Sequence, residues 1–195
     1  MNLLGHPGDP SLAFESDELS RFLPENSPRY RHILGVARCM EEVFPRLDLP
    51  RSWKEELVTA CLLHDIGYAP ELAGHRFHPL DGAVFARERG FSKSVVATVL
   101  FHSCADDQAR LTRPNLYPVY LKNASRLNQR DRLFIDLVTY CDLHTSPVGE
   151  RFTLDERVRE VVDRYGPDHP VSRFMVKHRP VYEETIRRVN GLFVR

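Results

Sequence analysis

One apolar segment constrains the fold of this chain more than any other. Residues 55–66, EELVTACLLHDI, place apolar side chains nearly all round a helix. A helix that is apolar on every face has to be buried among other elements. The segment nevertheless ends in two adjacent ionisable side chains, His64 and Asp65. The sequence therefore predicts a central buried helix, stopped near Gly67, that carries a polar pair into the protein interior.

Capping and helix-breaking residues predict further helices around this one. Ser27 and Pro28 form an N-cap followed by a first-turn proline, and Ser92 is a good cap for the apolar run 95–101. Two S/T-x-x-E capping boxes, at 52–55 and 153–156, predict two more helix starts. Further helices are expected over 79–90, 133–142, 153–165 and 170–193. The polar stretch 102–132 is compatible with a lid over a site or with an ordinary loop containing one short helix.

These patterns predict an all-α protein, a helical bundle formed by a single domain over residues 1–195. We expect a core at about 27–146 and C-terminal helices over 153–193 that pack on it. The 27 basic and 27 acidic side chains give no net charge. This balance argues against nucleic-acid or anionic-membrane partners, which require a basic excess. The N-terminus has no long apolar run, so we expect a cytoplasmic protein whose four cysteines are buried thiols.

Histidines and aspartates recur inside the apolar segments, where an unpartnered polar group costs a few kcal/mol. Five such residues stand at helix interiors or ends: His32, His64, Asp65, His102 and Asp142. Each alone is compatible with a hydrogen-bonded core residue. Together they suggest side chains that converge on metal, because a metal ion supplies the missing partner and links separate helices.

The order of these residues resembles the HD-domain superfamily of metal-dependent phosphohydrolases. That signature has a histidine on an early helix, a His-Asp pair that ends a later one, and a distal aspartate. The segments FHPLDGAVFARERG and VLFHS also look like the branch with two added histidines, which correspond here to His78 and His102. The resemblance implies six metal ligands: His32, His64, Asp65, His78, His102 and Asp142. It favours His78 over the nearby His75, although the spacing alone leaves a swap open.

The implied arrangement has two divalent ions bridged by Asp65. Four imidazoles and two carboxylates suit Fe, Mn, Co, Ni or Zn better than Mg or Ca, which prefer oxygen alone. The surplus positive charge of two such ions suits a small phosphorylated substrate, such as a nucleotide or a phosphomonoester. The resemblance thus implies a hydrolase in which a metal-bound hydroxide attacks phosphorus, with Asp65 as its central catalytic carboxylate.

Other residues are candidates for contacts with the substrate. Asp81 is a candidate general acid or orienting carboxylate. Many relatives carry a basic residue near the position of Tyr68, which here is a candidate for stacking on a base. The candidate phosphate-binding residues are Arg29, Arg31, Arg38 and Lys122.

The sequence leaves two other functions open. A few HD-fold proteins use the same ligand set, loaded with mixed-valent di-iron, as oxygenases that cleave carbon bonds. A non-catalytic module that binds a nucleotide would keep the helical shell without turnover, although an intact ligand set argues against it. The substrate, the native metal, the number of ions and the choice between monomer and homodimer are likewise open.

Overall fold

A computed structural model describes residues 1–194 of the chain. It confirms the all-α prediction, since no β-strand is found among those residues and β-pairing is limited to isolated bridges. Short 3₁₀ turns lie between several of the helices. The α-helices are α1 (Ser16–Leu19), α2 (Pro28–Val43), α3 (Lys54–Leu63), α4 (His78–Glu88), α5 (Lys93–Phe101), α6 (Ala105–Thr112), α7 (Tyr117–Ala124), α8 (Gln129–Leu143), α9 (Leu154–Tyr165) and α10 (Pro170–Asn190).

Most of the predicted helix starts form through the capping residues expected. The hydroxyl of Ser27 accepts a hydrogen bond from the backbone N–H of Tyr30, and that of Ser92 accepts one from Val95. The capping box of Thr153 with Glu156 is complete. These contacts satisfy backbone N–H groups that the first helical turn leaves without partners.

Two local predictions are wrong. Ser52 does not cap α3, because residues 51–53 form a 3₁₀ turn that runs directly into the helix and places Trp53 at the N-cap. The polar stretch 102–132 is not an ordinary loop with one short helix. It folds into α6 and α7 before α8 begins.

The apolar helix α3 lies inside the bundle, as its composition predicts. It packs against α2, α5 and α8, while α4 packs on α5. Leu57, Leu63, Val36 and Leu137 are among the side chains buried in this core. Cys39, Cys61 and Cys141 are buried thiols, and Cys104 is half-buried.

The C-terminal helices add a second, smaller core. Helix α10 packs on α8 and α9. Leu143, Val161, Met175 and Tyr182 are buried between these helices. This packing brings α9 and α10 next to the end of α8, where Asp142 lies. No helix among residues 1–194 combines the length and apolarity needed to cross a membrane.

Candidate metal centre

His64 and Asp65 lie in a turn at the end of α3. The helix ends at Leu63, and Asp65 has φ −111° and ψ 9°, outside the helical region. Adjacent residues on a continuous helix would diverge by about 100°. Because the helix is interrupted, Nε2 of His64 and Oδ2 of Asp65 come within 3.5 Å of each other. Both residues are buried.

Three imidazoles are held by backbone carbonyls. Nδ1 of His32 lies 2.9 Å from the carbonyl oxygen of Ser146, and Nδ1 of His64 lies 2.6 Å from that of Cys61. Nδ1 of His102 lies 2.9 Å from that of Val99. A carbonyl oxygen only accepts, so each Nδ1 carries the proton and donates it. In the neutral ring this leaves Nε2 with a free lone pair, the state in which histidine binds a metal.

The two oxygens of Asp65 face different pairs of histidines. Oδ2 lies 3.8 Å from Nε2 of His32 and 3.5 Å from that of His64. Oδ1 lies 3.1 Å from Nε2 of His78 and 3.7 Å from that of His102. Two groups of residues have ligand atoms close enough to surround a cation. One group is His32, His64 and Asp142, and the other is Asp65, His78 and His102. Asp65 belongs to the second group and also faces two histidines of the first.

Two nitrogen atoms in this centre have no hydrogen-bond partner. Nε2 of His32 lies 3.1 Å from Oδ1 of Asp142, yet neither it nor Nε2 of His64 is hydrogen-bonded to any group in residues 1–194. Leaving a buried polar atom without a partner costs about 1–3 kcal/mol. A cation between these nitrogens and the carboxylates would satisfy both atoms, so the donor set fits a divalent metal.

The electrostatics keep the two ligand carboxylates ionised and two of the imidazoles neutral. Burial raises the pKa of Asp65, but Arg29, His64 and His78 outweigh it and hold that pKa well below its usual range. Burial lowers the pKa of His64 to about 4, and it also lowers that of His78. Burial also acts to lower the pKa of His102, but the contact of His102 with Asp65 outweighs burial and raises that pKa. A divalent cation would compete with that proton.

Comparison with known proteins assigns the fold family. A family model of the HD domain matches residues 29–165. The chain belongs to the HD-domain family. The match covers more than half of the chain and extends beyond the core predicted from the sequence to include α9. No curated protein and no solved structure matches this HD protein.

The structure places two of the predicted substrate residues at the HD site. Arg29 donates a hydrogen bond to Oδ2 of Asp65. Its guanidinium lies 4.1 Å from the centre of the Tyr68 ring, which stacks on His78 at 4.1 Å. Arg29 and Tyr68 thus line the cavity at the metal ligands, with the tyrosine side chain 46% exposed at its mouth.

The structure does not bring Arg31, Arg38 and Lys122 to this cavity, since all three residues are exposed and lie outside its lining. Arg31 is two residues from Arg29 and therefore points about 200° away around α2. Arg38 donates to the carbonyl of Gly149. Lys122 is exposed near the end of α7, whose buried residues are Tyr120 and Asn123.

Asp81 does not line the cavity either, so its expected role as a general acid has no support in the geometry. Its carboxylate accepts hydrogen bonds from the backbone N–H groups of His75, at 2.7 Å, and Phe77, at 3.0 Å. Nδ1 of His75 is 2.8 Å from the same group. Asp81 therefore holds the loop before α4 in place, and His75 lies with it rather than with the ligand cluster.

The remaining histidines are separate from the cluster. Nδ1 of His144 donates to the carbonyl of Tyr140, and His169 caps the start of α10. His178 is buried, and its Nε2 is 3.3 Å from Oδ2 of Asp107.

The C-terminal helices supply site residues that sequence reasoning missed. Arg157 and Arg164 of α9 line the cavity, which has a volume of about 140 Å³. Apolar side chains of α9 and α10 also line it, among them Val161, Phe174 and Met175. Nη2 of Arg157 lies 3.5 Å from Oδ1 of Asp142. Arg157 and Arg164 are seven residues apart, which places them on the same face of a helix, and this spacing is the sequence feature that could have identified them.

Ser103 was also missed. It adopts a left-handed conformation, with φ 51°, as does Cys104, with φ 62°. Non-glycine residues rarely adopt this conformation and hold it only where surrounding contacts enforce it. Here the N–H of Ser103 donates to Thr139, and its hydroxyl donates to Oδ2 of Asp142 at 2.6 Å. The turn after His102 therefore orients the distal aspartate.

Proposed function

We propose that this HD protein is a metal-dependent phosphohydrolase whose site binds two divalent ions bridged by Asp65. One observation carries the proposal: the two oxygens of Asp65 face two separate pairs of imidazoles. The unpartnered Nε2 atoms of His32 and His64 support it, since both lie where a cation would be bound.

The donor set favours particular metals. Imidazole nitrogen combined with carboxylate oxygen suits Mn, Fe, Co, Ni and Zn, whereas Mg and Ca prefer oxygen ligands alone. In the proposed assignment His32, His64 and Asp142 complete one site, and His78 with His102 completes the other. Such ions, when bound, supply Lewis acidity and lower the pKa of coordinated water.

The protein's own residues would prepare this chemistry. The carbonyls of Ser146, Cys61 and Val99 orient three imidazoles, and Ser103 orients Asp142. Ligands held in this way need no rearrangement when the metal binds.

The arginines that line the cavity favour an anionic substrate. Arg29, Arg157 and Arg164 line it, and the acidic side chains in the same lining are Asp65 and Asp142. The same three arginines line a second cavity beside His32. Its volume of about 30 Å³ has room for one or two water molecules. Guanidinium groups bind phosphoryl oxygens through paired N–H donors. We assign these three arginines to the phosphoryl group of a small phosphomonoester or nucleotide.

The test combines metal analysis with phosphate release from a panel of phosphomonoesters and nucleotides, with Mn, Fe, Co, Ni, Zn or Mg added. We expect release with transition metals and none from the Asp65→Asn variant. Arg157→Ala should lower kcat/KM about 10- to 100-fold, the effect of one lost hydrogen bond to a charged group. Arg159→Ala is the matched control, because Arg159 is exposed on the same helix and lies outside the cavity.

Three outcomes would contradict the proposal. Full phosphate release by the Asp65→Asn variant would remove the role of the bridging carboxylate. Oxygen consumption by a mixed-valent iron form without phosphate release would identify an oxygenase. Tight nucleotide binding without any product under all the metals would identify a binding module.

A further inference from the structure

A groove next to the metal site is not explained by binding of the phosphoryl group. It has a volume of about 400 Å³, and it shares Tyr68, His78, Gln108 and Val171 with the cavity at the metal ligands. The inner cavity, at about 140 Å³, is smaller than the range of roughly 300–1,000 Å³ typical of ligand pockets. The groove lies within that range, so the larger part of a substrate fits there.

The charged side chains that line the groove are all basic. Its lining contains Arg76 and Arg113 and no acidic side chain. Within residues 1–194, neither arginine forms an ion pair, although many other arginines of the chain do. In a chain without net charge, two uncompensated guanidinium groups beside a site favour an anionic ligand.

The backbone presents Arg76 to the groove in an unusual conformation. Its φ is 54°, in the left-handed region that non-glycine residues seldom adopt. The carboxylate of Asp81 binds the backbone N–H groups on both sides of it, those of His75 and Phe77. Asp81 thus fixes the turn at Arg76, and a conformation enforced in this way is typical of functional sites.

We propose that this groove binds a second anionic group of the substrate, such as a second phosphate or a carboxylate on the leaving group. Arg76 and Arg113 are its specificity residues, and Asp81 is a positioning residue for Arg76. The inference rests on the proposed function, because it assumes that the first phosphoryl group lies at the metal ligands. It narrows the substrate class from phosphomonoesters in general to compounds with anionic groups at two ends.

Equilibrium binding tests this without turnover. The probes are butylphosphonate and butane-1,4-diylbisphosphonate, which differ only in the second phosphonate and have no P–O–C bond to hydrolyse. Ethane and hexane analogues vary the spacing. Calorimetric titration of the manganese-loaded protein should give at least tenfold tighter binding of the best bisphosphonate than of the matched monophosphonate, well above the twofold statistical advantage of having two ends.

The variants separate a binding role from a structural one. Arg76→Gly removes the side chain while accommodating the positive φ, and Arg113→Ala removes the second cation. Each should weaken bisphosphonate binding about tenfold and leave monophosphonate binding unchanged, an effect within the range of a lost hydrogen bond to a charged group. Arg132→Ala, an exposed arginine of α8, is the control and should change neither.

Asp81→Asn tests the positioning role and should reduce the preference for bisphosphonate while the manganese content stays unchanged. The inference is overturned if the wild type does not prefer any bisphosphonate, if the Arg76 and Arg113 variants weaken both probes equally, or if the control weakens them too. Failure of both probes to bind the manganese-loaded wild type would refute the proposed function itself, and this inference with it.

Discussion

Replacing Gly67 by alanine should destabilise the protein and disturb one half of the metal centre. Gly67 lies in the 3₁₀ turn directly after the His64–Asp65 pair, and the backbone at the start of α4 packs against it. A Cβ at this position would overlap the carbonyl oxygen of His78 and lie 2.6 Å from the nitrogen of Gly82. Both are backbone atoms, so no side chain can rotate away to relieve the overlap.

The magnitude follows from this geometry. Forcing an extra methyl group into a packed interior costs typically 1–3 kcal/mol, and a clash with backbone belongs at the upper end. For a chain of this length, about 3 kcal/mol corresponds to a fall in Tm of roughly 6–12 °C. Because the displaced backbone carries His78, we also expect manganese affinity at the Asp65–His78–His102 group to fall about 10- to 100-fold, as when a supporting contact of a ligand is lost.

Urea denaturation and calorimetric manganese titration measure the two effects. Gly74→Ala is the matched control, because a Cβ there meets only Oδ1 of Asp81, at an ordinary 3.8 Å. An unfolding free energy within about 0.5 kcal/mol of wild type for Gly67→Ala, the range of a neutral surface substitution, together with unchanged manganese binding, would show that the turn accepts a Cβ at this position.

Three further predictions concern the same centre. Ser103→Ala removes the hydrogen bond to Asp142 and should weaken manganese binding about 10- to 100-fold, whereas Ser125→Ala, an exposed serine, should leave the titration unchanged. His78→Ala should reduce the metal content measured by mass spectrometry from two ions to one, and His75→Ala should leave two; the reverse result would exchange their roles. Removing the metal with a chelator should lower Tm, and adding manganese back at 100 times its Kd should restore about 2.7 kcal/mol per site. A Tm that does not change with manganese concentration would contradict that expectation.

The helical frame could largely be predicted because its signals are local. Ser27, Ser92 and Thr153 cap helices through contacts within three residues, and Gly90 and Gly166 end them with positive φ. Ser52 misled the prediction, because its capping pattern competes with a preceding 3₁₀ turn that continues into α3. Local capping rules do not reveal which of two overlapping starts the tertiary packing favours.

Five of the six metal-ligand candidates could be found from the sequence because polar residues in apolar helices are conspicuous, whereas His78 is indicated only by the resemblance to the HD-domain superfamily. Substrate-side residues could not, because their placement depends on how distant helices pack. Arg157 reaches Asp142 only through the packing of α9 and α10 on α8. Arg31 and Arg38 are close to His32 in sequence but point elsewhere. The sequence marks Asp81 as a candidate orienting carboxylate, whereas only the structure shows the loop that it holds.

Electron paramagnetic resonance of the manganese-loaded protein distinguishes two ions bridged by Asp65 from ions bound separately. Two ions that share a carboxylate in such sites lie about 3.5–4 Å apart, so their spins couple. We predict two manganese ions per chain with a spin-coupled spectrum, and loss of that spectrum in the Asp65→Asn variant. Saturation at one ion per chain, or two ions with uncoupled spectra, would show that Asp65 does not bridge two ions.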